Sequence, residues 1–203
     1  MKTERRAVGW SFWLAWVLAS IMGFGIGMLL GASIAYGLFN REVFDATMGI
    51  TLGLVTGAIG GFAQWLVLRD HIPGAGWWVV ASSLGFAGFM GTPATVATEN
   101  PAMAGILGAI ALGFVGGIPQ WIILRRHVER AGWWLVATLF GALVGEIGFP
   151  ISFAIDATGN LSVIVVGVLF GVGLGAIPGA VLVWLLRQSQ SSDASGRWID
   201  NAI

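Results

Sequence analysis

From Trp10 to Phe39 the chain carries no charged side chain. The same holds for Ala46 to Leu68, Trp77 to Thr98, Met103 to Leu124 and Leu161 to Leu186, and in a sixth apolar stretch, Trp133 to Ile155, the one charge is Glu146. Each stretch has the roughly 20 residues that a helix needs to cross the hydrocarbon of a bilayer. None alternates apolar and polar residues as a half-wetted strand does. Backbone in lipid must satisfy its own hydrogen bonds, and long runs without alternation do this as helices, not as barrel strands. The pattern predicts an all-α integral membrane protein with six transmembrane helices. The opening "MKTERR" followed by an apolar run has the order of a signal peptide. The run is too long for a cleaved one and no A-x-A site follows it, so it is expected to stay as the first span.

The stretches repeat one another. "QWLVLRDHIPGAGWWVVASSLG" runs from Gln64 to Gly85, and "QWIILRRHVERAGWWLVATLFG" runs from Gln120 to Gly141, 56 positions later. "WVLASIMGFGIG" from Trp16 aligns without gaps on "WVVASSLGFAGF" from Trp78 and on "WLVATLFGALVG" from Trp134. The even-numbered helices repeat as well. Gly49, Gly53, Gly57 and Gly61 are spaced by four, and Arg69 follows eight residues after the last. Gly105, Ala109, Gly113 and Gly117 lead to Arg125 in the same way, and Gly167, Gly171, Gly175 and Gly179 lead to Arg187. The chain therefore reads as one six-helix domain, 1–187, made of three αα-hairpins (10–69, 77–125 and 133–187), with a polar, flexible tail at 188–203. The third copy is the most diverged, since Leu182 and Val183 stand where the others have Gln-Trp.

Charge sets the expected orientation. Lys2, Arg5, Arg6, Arg69, Arg125, Arg126, Arg130, Arg187 and Arg197 fall at the termini or between hairpins, and only Arg41 falls on the other side. Basic residues mark the cytoplasmic face, so both termini are expected there, in a bacterial inner membrane. Glu42, Asp45, Glu99 and Asp156 lie in the outer loops. All three hairpins then share one direction, as parallel repeats rather than the inverted repeats of many transporters. Ten tryptophans, among them Trp77, Trp78, Trp133 and Trp134, fall near the arginine-rich level, where indoles form anchoring belts. The alternative for those four is a stacking surface for a flat ligand such as a pigment or quinone.

Lipid tails are as apolar as leucine, so helices associate in a membrane through close packing. Small residues spaced by four make a flat face for it. The odd-numbered helices carry such faces too: Ala19, Gly23, Gly27 and Gly31; Ala81 and Gly85; Ala137, Gly141 and Gly145. These faces are expected to join the two helices of a hairpin or one hairpin to the next, with binding of a partner chain, lipid or pigment as the alternative. Pattern alone does not choose between a bundle with threefold character and a row of hairpins.

Composition narrows the function classes. Of 203 residues, 57% are hydrophobic and 10% charged, where a soluble domain carries about 25% charged residues. Zero net charge gives no long-range attraction to nucleic acid, and with no cysteine there is neither a disulfide nor a thiolate metal site. No nucleophile–base pairing, H-E-x-x-H or phosphate loop is present, and the serines of "VVASSLG" have no local partner. No catalytic residue and no metal site is expected.

The polar residues that interrupt the apolar stretches are the candidates. Glu146 lies 13 residues after Trp133, about 20 Å along a helix. The matching positions of the other copies are Met28 and Met90. A carboxylate facing lipid at that depth costs about 2.5–3.5 kcal/mol, so it should be paired, protonated or turned toward protein, and such residues are functional candidates by default. Gln64 and Gln120 are a matched pair one turn inside the interface, suited to interhelical hydrogen bonds. His71 and His127 follow the arginines, and could titrate, ligate, or be plain surface groups. Pro93, Pro119, Pro150 and Pro178 fall inside apolar stretches and are expected to kink them.

The phrases "QWLVLRDHIPGAGWW" and "QWIILRRHVERAGWW" resemble those of multi-pass bacterial membrane proteins of cyanobacterial and green filamentous bacterial type, whose function is unassigned. The resemblance covers helices two to five. It implies a fold of repeated hairpins and transfers no catalytic residue. Two function classes follow from the sequence, with a membrane enzyme acting on lipid as a third and weakest. One is a non-enzymatic structural or accessory subunit of a respiratory or photosynthetic membrane complex, contacting lipids and other integral membrane subunits. The other is a small transporter or channel that uses Glu146. Lipid, pigment and quinone are compatible ligands, and none is required.

Overall fold

The computed structural model describes residues 8–39, 45–95, 101–155 and 159–200. Lys2, Arg5, Arg6, Arg41, Glu42, Glu99 and Asp156, used above for orientation, lie outside them. The described elements are helical: α1 (Trp10–Leu38), α2 (Ala46–Leu68), α3 (Trp77–Thr95), α4 (Pro101–Ala111), a π-helical segment (Leu112–Gly117), α5 (Ile118–Leu124), α6 (Trp133–Glu146), α7 (Gly148–Ala154) and α8 (Gly159–Asp200). Five segments among the described residues are long and apolar enough to cross a membrane: Trp10–Leu38, Ala46–Leu68, Gly105–Leu124, Trp133–Ser152 and Gly159–Ser189. α3, in the remaining expected stretch Trp77 to Thr98, is not among these five, and residues 96–98 lie outside the described ones.

Local chemistry explains where these helices start and break. The Asp45 carboxylate accepts a hydrogen bond from the Met48 amide at 2.8 Å and so caps α2. Pro119 has no amide proton for the Val115 carbonyl, and the π-helical segment that holds Val115 ends two residues before it. Pro150 stands in the same relation to the Glu146 carbonyl, and there the stretch from Trp133 to Ile155 divides into α6 and α7. The Ile147 amide tightens onto Val144 at 3.2 Å across this break. Pro178 lies inside α8, which continues without interruption. The last helix does not stop near Leu186. It runs through the polar segment to Asp200, and no proline falls in that segment to end it.

The two loops between hairpins fold alike. The Leu68 carbonyl accepts from the amides of His71 and Ile72 at 2.9 and 3.0 Å, and Leu124 accepts from His127 and Val128 at 2.9 and 2.9 Å. Both loops then turn through a left-handed residue, Gly74 at φ +74° and Arg130 at φ +57°. Glycine adopts this conformation without strain and arginine does not. Arg130→Gly is therefore expected to stabilise the protein by about 0.5–1 kcal/mol, the relief of strain being partly offset by a freer unfolded chain. Unfolding in SDS checks this, and a loss of stability would show that the arginine conformation carries no strain.

Packing closes the helices into a circle. α1 lies against α2, α2 against α3, and α3 against the α4–π–α5 segment; that segment lies against α6, α6 and α7 against α8, and α8 returns to α1. The glycine rows explain how the backbones come so close. Within hairpins, a Cβ at Gly27 would lie 2.9 Å from the Thr56 carbonyl oxygen, one at Gly85 2.6 Å from Gly116 Cα, and one at Gly141 2.8 Å from the Gly173 carbonyl oxygen. Between hairpins, Gly49, Gly53 and Gly57 press on the carbonyls of Met90, Phe86 and Ser82. Gly167 and Gly171 press on Gly25 and Ile21 of α1, and Gly179 on Trp16. Odd-helix rows thus join the halves of a hairpin, and even-helix rows join one hairpin to the next. Turned inward in this way, they are not free for a partner or a pigment. The row of the second copy packs more loosely. A Cβ at Gly113 would meet nothing closer than 3.9 Å, and one at Gly117 would meet the Leu135 side chain at 3.3 Å.

Inside the circle two apolar clusters stack end to end. One, at the arginine end, gathers Phe12, Trp16, Leu68, Trp78, Leu124, Trp134, Leu182 and Leu186. The other holds Phe24, Phe86, Phe89, Phe170, Met28 and Met90. On the outside, α1 shows a ridge of Leu14, Leu18, Met22, Ile26, Leu30 and Ile34, all exposed and spaced by four. An apolar outer face is stable against lipid.

Candidate functional site

The polar residues of the interior form a repeated hydrogen-bonded unit that spans three helices. Gln64 of α2 donates through Nε2 to Ser20 Oγ of α1 at 3.0 Å, and its Oε1 accepts from Trp78 Nε1 of α3 at 3.0 Å. Gln120 of α5 donates to Ser82 Oγ of α3 at 3.0 Å and accepts from Trp134 Nε1 of α6 at 3.1 Å. Ser20 passes the chain on, donating to the Trp16 carbonyl at 2.9 Å. Each glutamine is buried and ties its own hairpin to the next.

The third unit is broken at one residue. The alignment that matches Trp16 with Trp78 and Trp134 also matches Ser20 and Ser82 with Thr138, and Gln64 and Gln120 with Leu182. Leucine offers neither donor nor acceptor. Trp16 Nε1 and Thr138 Oγ1, the two atoms a glutamine at 182 would serve, are the buried side-chain polar atoms left without a partner among the described residues. A void of about 20 Å³ borders Gln64, Ser82, Gln120 and Thr138, room for about one water.

Trp16, Trp78 and Trp134 meet on the axis of the circle. Their rings pack edge to face with centroids 5.8, 6.2 and 5.0 Å apart. They are 0, 0 and 2% exposed, so they close the arginine end of the interior and are not part of an anchoring belt. The rings of Trp78 and Trp134 are enclosed by each other and by Trp16, and their N–H groups are engaged by Gln64 and Gln120. Trp77 and Trp133, 70 and 55% exposed, point outward from the same turns. The serines of "VVASSLG" read as having no local partner, and Ser82 finds a distant one, Gln120, 38 residues away. Ser20, Ser82, Thr138 and Trp16 were missed as a set, although their register was visible in the aligned "WVLAS", "WVVAS" and "WLVAT".

Glu146 stands apart from this unit. It is half-buried at the end of α6, and a Cβ added to Gly105 would lie 2.7 Å from its Oε2. The corresponding pairs are Met90 on Gly49 and Met28 on Gly167. Glu146 therefore sits in the contact between the second and third hairpins, with no polar cluster around it among the described residues. Met28 and Met90 line an apolar chamber of about 350 Å³ at the end opposite the arginines, together with Met48, Phe149 and Val166, and its polar lining is Tyr36, Ser152 and Ser162. A chamber of this size and lining suits a small apolar molecule or part of an acyl chain.

The histidines lie apart. His71 Nδ1 is 3.2 Å from the Val67 carbonyl and its ring packs edge-on against Phe12, while the His127 carbonyl accepts from Ser189 Oγ at 3.1 Å. Among the described residues no three of His, Cys, Asp and Glu come together as a metal site would require. Comparison of the chain with models of protein families, with curated proteins and with solved structures found no match.

Proposed function

We propose that this chain is a non-enzymatic, multi-pass protein of a bacterial cytoplasmic membrane, with six spans in three parallel hairpins and both termini in the cytoplasm. It belongs, on this reading, with the repeated-hairpin proteins its Gln-Trp and Gly-Trp-Trp phrases resemble, and it serves as a structural or accessory subunit of a larger respiratory or photosynthetic complex. The observation that carries the reading is the filled axis. Trp16, Trp78 and Trp134 close one end, and Phe24, Phe86, Phe89 and Phe170 pack above them with centroid separations of 4.7 to 6.2 Å. An interior built this way suits a rigid body better than a conduit. A partner would meet the outer apolar faces such as the α1 ridge, since the glycine rows face inward. Purification from the native membrane in mild detergent, with mass and absorption spectra of the eluate, tests this. Stoichiometric partner chains are expected, and a lone, colourless protein overturns the reading.

The 350 Å³ chamber and the carboxylate at the place of Met28 and Met90 favour a second reading, transport of a small molecule or ion. Glu146→Met separates the two. The accessory reading expects unchanged assembly and a stability equal to or above that of the parent, because the other copies accept methionine at this level. Transport expects the variant to fold and to lose flux in liposomes.

A further inference from the structure

The three hairpins end in equivalent arginines that are held differently. The Arg69 guanidinium lies over the Trp65 ring at 5.6 Å and 3.9 Å from Asp70. Arg125 lies over Trp121 at 4.9 Å. In the third copy the supporting tryptophan is Val183 and the next residue is Gln188. Arg187 instead turns to α1, where its Nε donates to the Val8 carbonyl at 2.9 Å and its Nη2 lies 3.5 Å from a Cβ position on Gly9. The place of the missing indole is a groove of about 420 Å³ between α1 and α8, bordered by Gly9, Trp10, Trp13, Val183, Trp184 and Arg187. Its base is fixed, because Trp13 Nε1 donates to the Ala176 carbonyl at 3.1 Å and Trp10 packs edge-on against Trp13 at 5.7 Å. Among the described residues no carboxylate pairs with Arg187.

We propose that this groove holds one anionic glycerophospholipid, its phosphate on the Arg187 guanidinium and its glycerol and upper acyl chains along Trp10, Trp13 and Val183. The inference rests on the chain crossing a membrane. Charge complementarity selects the headgroup. A planar guanidinium anchored through Nε keeps its Nη donors for phosphate. Indoles at the interfacial level accept the glycerol region on one side and chain on the other. The first two hairpins lack the site because Trp65 and Trp121 occupy the corresponding space beneath their arginines.

The full chain is reconstituted in phosphatidylcholine nanodiscs, and its spin-labelled phosphatidylglycerol and phosphatidylcholine contacts are compared. Incorporation itself reports separately on the membrane reading, since a chain that fails to enter the discs contradicts that reading first. Expected is a preference of about fivefold for phosphatidylglycerol, the effect of one basic residue at such a surface. Arg187→Gln abolishes it, Arg69→Gln leaves it intact, and Val183→Trp removes it while keeping the charge. An absent preference in the parent, a preference that survives Arg187→Gln, or equal losses in the Arg187 and Arg69 variants overturns the site. If Val183→Trp does not fold, the two arginine variants still decide.

Discussion

Gly53→Ala is expected to cost about 1–3 kcal/mol, the range of overpacking in a filled core, and Gly53→Leu to leave no folded bundle. A Cβ at Gly53 meets the Phe86 carbonyl and the Ala87 Cα, backbone atoms that cannot swing aside as a side chain does. The same holds at Gly57, where the Ser82 carbonyl and Ser83 Cα stand in the way. Relief requires α2 and α3 to move apart along the whole row, and that also pulls Gln64 from Trp78. Gly76→Ala is the control, for nothing lies within 4 Å of a Cβ there. Thermal and SDS unfolding of the three variants decides the point, and a Gly53→Ala protein as stable as Gly76→Ala would show that α2 and α3 are not in backbone contact.

Leu182→Gln is expected to do the opposite and raise stability by about 1–3 kcal/mol. Two buried polar atoms, Trp16 Nε1 and Thr138 Oγ1, lack partners. The matching glutamines serve the equivalent atoms at 3.0–3.1 Å. An unsatisfied buried group costs about 1–3 kcal/mol, and interhelical hydrogen bonds in membranes return about 0.6–1.7 kcal/mol each. Glutamine is close to leucine in size, so the fully buried site needs little rearrangement. Leu182→Met separates hydrogen bonding from packing and should change little. The reverse replacements, Gln64→Leu and Gln120→Leu, should each lower stability by about 1–3 kcal/mol, because each strands the N–H of a buried tryptophan. A destabilised Leu182→Gln protein would mean that the third unit does not share the geometry of the other two.

Much of this was legible in the sequence, and particular residues show why the rest was not. Absence of charge located the apolar helices, and spacing by four identified the close-packed faces. Which helix each face meets was not legible, since Gly27 and Gly53 look alike in sequence yet meet α2 and α3 respectively. That depends on closure between α1 and α8, a contact across most of the chain. The tryptophans misled for a related reason. Trp77 and Trp78 are neighbours at the arginine end, and rotation about the helix alone sends one outward and the other to the axis. The Gln–Ser–Trp unit lay in aligned columns, but a buried network shows only when columns from three helices converge. For Glu146 the sequence supplied an anomaly at the level of Met28 and Met90, and the structure supplies its neighbour, Gly105, without a polar cluster among the described residues.

The account rests on the circle being closed, and a chain without cysteine allows a clean test. A Cβ at Gly25 of α1 would lie 3.6 Å from Val168 Cγ2 of α8, at half-buried positions on the rim of the contact. Gly25→Cys with Val168→Cys is expected to form a disulfide within one chain upon mild oxidation in the membrane, because the side chain at 168 already reaches contact distance of a Cβ at 25 and brings the two sulfurs within reach. On SDS gels the product would be a faster-migrating monomer that reverts with reductant. If the pair stays reduced, or links only one molecule to another, α1 and α8 lie at opposite ends of a row, and the filled axis on which the accessory reading depends does not exist.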